Sequence, residues 1–121
     1  MKYMLLIYHD EQGWDALTEA ERQQIYREYG ELEGQLKSRG QFLSGSELQP
    51  ITTATSVRVR EGKELVTDGP FAETHEQLGG YFLIDAKDHA DAIEIAGRIP
   101  GGRFGTVEVR PVLEVPGLPT D

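Results

Sequence analysis

The order of hydropathy patterns in this chain predicts an α+β fold: ferredoxin-like β-α-β-β-α-β with an inserted β-hairpin. Two unbroken apolar runs, residues 2–8 and 81–84, read as strands buried on both faces. Two segments with apolar residues at helical spacing, 18–39 and 89–98, fall where the two helices of that motif belong. In the sheet order 4-1-3-2 the central strands are the first and third of the motif, and these are the two continuous apolar runs.

Each element has its own signal. His9 to Asp15 is polar, contains Gly13, and reads as a loop. Thr18-Glu19-Ala20-Glu21 has the form of a capping box, in which the Thr hydroxyl accepts from the Glu21 amide and the Glu21 carboxylate reaches back. Ile25, Tyr29, Leu32 and Leu36 then recur on one helical face, and Gly40 supplies the left-handed stop. Gly30 and Gly34, inside that helix, each cost about 1 kcal/mol relative to alanine. Residues 41–49 read as a strand and Pro50 opens a loop. Val57 and Val59 alternate with Ser56, Arg58 and Arg60, Glu61-Gly62-Lys63 turns, and 64–67 returns, which makes a hairpin. Gly79-Gly80, ahead of the second apolar run, suggests a bulge or a close backbone approach. Asp88 caps the short helix 89–98, and Pro100-Gly101-Gly102 ends it. The last strand, 105–115, is an edge strand or is bent at Pro111, which has no N–H for a ladder. The 121 residues fit a single domain, with 116–121 expected as a loose tail.

Composition narrows the classes. The chain has no cysteine, so it carries no disulfide, thiolate metal site or cysteine nucleophile. Acidic residues outnumber basic ones 21 to 12, for a formal charge of −9, which argues against nucleic acid and anionic membrane surfaces as partners. No apolar run approaches the ~20 residues of a membrane span, and the N-terminus lacks signal-peptide form, so a cytoplasmic protein is expected. No P-loop, dinucleotide fingerprint, nucleophile elbow or metal-ligand spacing is present, so neither a cofactor nor a metal is expected.

Both helices of such a motif cover the same sheet face, which leaves the other apolar face of the central strands open. A homodimer packed sheet to sheet would cover it; the alternative is that loop 50–78 folds over it.

The loops at one end of the sheet, 9–17, 50–78 and 100–104, hold most of the unusual polar chemistry. Asp68-Gly69-Pro70 is turn chemistry, with the Asp68 carboxylate accepting local amides, and Thr74 to Gln77 has the form of a single capped helical turn. Asp68, Glu73 and Glu76 crowd around His75, a grouping suited to acid–base work, so Asp68, Glu73 and His75 are the candidate catalytic residues. Phe71, Tyr81, Arg110 and His9 are the candidate ligand-binding residues, with Tyr81 as a donor and Arg110 as an anion anchor.

The stretch Val66 to Tyr81, with its Asp68-Gly69-Pro70-Phe71 core and Leu78-Gly79-Gly80-Tyr81, resembles the signature of YCII-related proteins of the DGPF group. The opening Met1 to Tyr8 and the closing Val107-Glu108-Val109-Arg110-Pro111-Val112 resemble it too. The resemblance implies a dimeric α/β barrel and a bacterial origin. It also implies an association with extracytoplasmic-function sigma factors and kinship with small-molecule isomerases and monooxygenases. By position it carries over Asp68, Gly69, Pro70, Phe71, Glu73, Gly79, Gly80, Tyr81, Glu108 and Arg110. The His–Asp pair of shorter YCII relatives does not carry over, because the long helix has no histidine, and His75 stands where the pattern prefers lysine.

Three functions follow as expectations. The first is a small-molecule-binding protein or enzyme with its cleft at the DGPF loop. The second is a non-catalytic regulatory module whose DGPF loop contacts a sigma-factor-related protein. The third is a structural turn without a ligand.

Overall fold

Strand β1, Lys2–His9, runs through the middle of the molecule, with β5, Gln77–Asp85, on one side and β6, Gly105–Pro111, on the other. Strand β2, Phe42–Glu47, flanks β5, giving the order β2-β5-β1-β6 with every pairing antiparallel. This is the 4-1-3-2 sheet that the hydropathy patterns predict. The computed structural model describes residues 1–119; Thr120 and Asp121, the end of the expected tail, lie outside the described residues.

Helix α1, Glu11–Asp15, occupies the segment expected to be a loop. Five residues with a central glycine carry no readable periodicity, and the turn is held from outside its own sequence. The Asp10 carboxylate accepts from the Gln12 amide at 3.0 Å, Gln77 Oε1 from the Glu11 amide at 3.1 Å, and the Glu11 carboxylate from the Ile51 amide at 3.0 Å. Helix α2, Glu19–Ser38, begins with the capping box complete: the Glu21 amide donates to Thr18 Oγ1 at 3.1 Å and the Thr18 amide to Glu21 Oε1 at 2.9 Å. It ends at Gly40, whose φ of 69° lets the Gln41 amide fold back to the Leu36 carbonyl at 2.8 Å. Helix α3, His89–Gly97, starts at Asp88, which accepts from the Asp91 amide at 2.8 Å.

Leu32 and Leu36 of α2 and Ala92 and Ile95 of α3 meet Tyr3, Leu5, Phe82 and Ile84 in one buried cluster. Both helices therefore lie on the same face. The opposite face carries Met4, Leu6 and Leu83, and also Tyr8, Tyr81, Ser44, Glu108 and Arg110, by the strand alternation. Only the first face of β1 is fully buried, and the second is half-buried. The run read as buried on both faces is thus asymmetric, and the second face is more polar than its apolar run suggests.

Strands β3, Thr55–Arg60, and β4, Lys63–Asp68, form a separate two-stranded sheet. They turn at Glu61 and Gly62, with φ of 52° and 75°, as the primed hairpin turn requires. Every residue of β4 and all but Ser56 of β3 are exposed, so the hairpin does not cover the open sheet face. The last strand stops at Pro111 instead of 115. Its partner β1 ends at Lys2, whose carbonyl takes the Val112 amide at 2.9 Å, and Leu113 beyond it is 83% exposed. Thr74 to Gln77 forms no helical turn. The Thr74 hydroxyl donates to the Glu76 carbonyl at 2.6 Å and Gln77 Nε2 to the Thr74 carbonyl at 2.6 Å, which feeds the chain directly into β5. Among the described residues no helix is long and apolar enough to cross a membrane.

Candidate functional site

Glycines open a cavity between α2 and the sheet. Along β5, Ile7 of β1 pairs with Gly80 but Tyr8 pairs with Leu78, so Gly79 is an extra residue, the bulge that Gly79-Gly80 suggests. A Cβ on Gly79 would stand 2.6 Å from His9 Nδ1 and closer still to Cε1, so the missing side chain is what lets the imidazole lie across the strand. A Cβ on Gly80 would meet the Ser46 carbonyl at 2.8 Å, and one on Gly101 would meet Ile7 and the Tyr29 hydroxyl at 2.7 Å each. Where strands of a packed sheet would present core side chains to the helix, Gly45, Gly79 and Gly80 present backbone. The result is a cavity of about 440 Å³, within the range of small-molecule sites.

Rings form its walls. His9 lies 6.2 Å from Trp14, centroid to centroid, and Trp14 meets Tyr26 edge to face at 5.6 Å. Tyr29 and Phe82 make a second edge-to-face pair at 6.1 Å, and Phe104 lines the cavity as well. Helix α1 brings Trp14 into this set. The Arg22 guanidinium fixes it further by donating to the Trp14 and Leu17 carbonyls at 3.4 and 2.8 Å. A smaller cavity of about 350 Å³ adjoins the first and shares His9, Trp14, Glu47 and Gly79 with it.

A few polar groups converge on this apolar lining. The Tyr26 hydroxyl donates to Glu47 Oε1 at 3.0 Å, and the Gly101 amide donates to the Tyr29 hydroxyl at 3.1 Å. Burial first, and the Glu47 carboxylate second, raise the Tyr26 pKa above its usual 10.0. Burial raises that of Tyr29, while the Gly101 amide pulls it back. Both hydroxyls therefore stay protonated at neutral pH and serve as hydrogen-bonding groups, not as bases. Gly30 of α2 also lines the cavity. A Cβ there, or at Gly34, would touch nothing within 4 Å, so neither glycine marks a close approach to the sheet.

The residues expected to form a site are dispersed. Of them only His9 lines either cavity. Asp68 ends β4 on the exposed hairpin, and Phe71, Glu73 and His75 follow it, all exposed, with Phe71 at 81%. No residue of 66–76 lines either cavity, so within this chain the cleft is not at the DGPF loop. The turn is pinned by other groups than the expected carboxylate: the Gly69 amide donates to the Ala54 carbonyl at 2.7 Å and the Ser56 hydroxyl to the Gly69 carbonyl at 2.7 Å. Glu76 instead accepts from the Thr106 hydroxyl at 2.9 Å. Tyr81 and Arg110 lie on the open face, by their pairing opposite Leu6 and Met4. There the Tyr8 hydroxyl stands 3.4 Å from Glu108 Oε1, and its pKa is raised by burial first and by that carboxylate second.

Over residues 1–116 the chain matches the YCII-related domain. It belongs to the YCII-related family. The four-stranded antiparallel sheet with an added hairpin is consistent with that family's ferredoxin-like fold. An uncharacterised protein of Rhizobium meliloti is 34% identical over 114 residues, which cover 93% of this chain and 92% of the relative. Its description names no activity. Trp14, Tyr26 and Glu47 of this YCII-related chain escaped the sequence reading, and Tyr29 was read there only as part of a helical face. The available signal was the scatter of glycines through the chain, since six of the fourteen line the larger cavity.

Proposed function

We propose that this YCII-related protein binds a small aromatic or otherwise largely apolar molecule in the cavity between α2 and the sheet, with His9 as the one imidazole on its wall. The supporting observation is a ring-lined space of about 440 Å³ floored by backbone at Gly45, Gly79 and Gly80. Apolar lining with few convergent polar groups is the usual form of a small-molecule site. An enzyme of the isomerase or monooxygenase kind and a non-catalytic binding protein share this step, and in an enzyme His9 would move the proton.

Trp14, the only tryptophan in the sequence, reports on the site. A screen of aromatic fragments by Trp14 fluorescence should yield ligands for the native protein. Gly30→Leu should weaken them at least tenfold while leaving the melting temperature unchanged or higher, because leucine fills the cavity and is the better helix former by about 1 kcal/mol. The proposal fails if no fragment perturbs Trp14, or if Gly30→Leu binds them equally well.

A second reading concerns partners. The half-buried Leu6 and Met4 on the second sheet face, the exposed hairpin residues Val57, Val59 and Val66, and the exposed Phe71 after the hairpin support a homodimer. In it the DGPF loop, with Asp68, Glu73 and His75, would lie against the second copy or meet a sigma-factor-related protein. Light scattering should give twice the 13.5 kDa chain mass, and a monomer at micromolar concentration would refute the dimer.

A further inference from the structure

From the charges around the cavity we infer that its ligand is a cation, an amine or ammonium group carried on an aromatic or apolar body; this rests on the cavity being a ligand site. Asp10, Glu33 and Glu47 line the cavity, and no lysine or arginine does. The nearby guanidinium groups are committed elsewhere: Arg22 donates to the Trp14 and Leu17 carbonyls, and Arg103 pairs with Glu28 at 2.7 Å. Among the carboxylates, Asp10 is used to cap α1 and Glu33 stands 3.8 Å from Lys37. Among the described residues Glu47 takes only the Tyr26 hydroxyl, on Oε1, so Oε2 is open to a second donor.

Aromatic walls add to the same preference. Trp14 and Tyr26 meet edge to face, so their electron-rich faces do not stack on one another, and a cation between ring face and carboxylate is attracted by both. The net charge of −9 draws cations toward the protein and repels anions. An anionic ligand would meet three carboxylates without a compensating cation on the cavity wall.

A matched series tests the inference: phenethylamine, phenethyl alcohol and phenylacetate, each titrated against the native protein by Trp14 fluorescence at low and high salt. The amine should bind roughly tenfold more tightly than the alcohol, as expected for a partly exposed cation–π contact beside a carboxylate, and phenylacetate should bind weakest. Salt should shrink the amine's advantage. Glu47→Gln, which keeps an oxygen to accept from Tyr26, should shrink the amine's preference over the alcohol. Equal binding of amine and alcohol by the native protein, or an undiminished preference in Glu47→Gln, overturns the cation reading and leaves the cavity site standing. A series in which none of the three perturbs Trp14 overturns both.

Discussion

Gly79→Ala should destabilise the protein only when His9 is present. The φ of Gly79 is not in the left-handed region, so the backbone accepts alanine, and in an open site the change would add up to about 0.4–1 kcal/mol of stability by restricting the unfolded chain. The new Cβ would instead stand 2.6 Å from His9 Nδ1, well inside contact distance. Either the strand shifts or the imidazole swings out and loses its place beside Trp14. Overpacking of this kind costs about 1–3 kcal/mol, so the single variant should lose about 1–2 kcal/mol net, or about 4 °C per kcal/mol in melting temperature at this chain length. In a His9→Ala background the same substitution should be neutral or slightly stabilising. Urea unfolding followed by Trp14 fluorescence across the four proteins gives the coupling directly, and about 2 kcal/mol is expected. If Gly79→Ala stabilises the native protein, or costs the same in both backgrounds, the imidazole does not lie across Gly79 and the account of the cavity floor is wrong.

Tyr29→Phe removes the acceptor for the buried Gly101 amide and should cost about 1–3 kcal/mol, read as a lower urea midpoint with an unchanged slope. Leu36→Ala, at a side chain with no solvent exposure in the central cluster, should cost about 2–5 kcal/mol by calorimetry, against a small effect for Leu113→Ala at an 83%-exposed position. The raised tyrosine pKa values predict alkaline loss. The folded state holds its protons on Tyr26 and Tyr29 more tightly than the unfolded chain, so this contribution is full below pH 10.0 and fades as pH rises through the folded values. Melting temperatures across that range should fall less in Tyr26→Phe than in the native protein, and an identical decline would count against the assigned cause.

The fold was legible because its main determinants are periodic or local. Apolar runs mark β1 and β5, the Thr18–Glu21 box starts α2, and Gly40 and Asp88 bound the helices. Tertiary ties hid the rest. Helix α1 depends on Gln77 and on Glu11 reaching Ile51, neighbours that only the fold supplies. The site was legible only at His9 and at the Gly79-Gly80 bulge. Asp68, Glu73 and His75 drew attention because they are close in sequence, yet the hairpin that carries Asp68 stands clear of the four-stranded sheet. Trp14, Tyr26, Tyr29 and Glu47 are spread over thirty-odd positions on three elements, and a helix facing a glycine-floored sheet is what brings them together.

Amide and indole NMR of the native protein, titrated with the tightest aromatic ligand, tests the location of the site most directly. The Trp14 indole N–H and the amides of Gly45, Gly79, Gly80 and Gly101 should move together and saturate at one ligand per chain. Shifts confined to residues 66–76, with Trp14 and these glycines unmoved, would put the site at the DGPF loop and contradict the cavity.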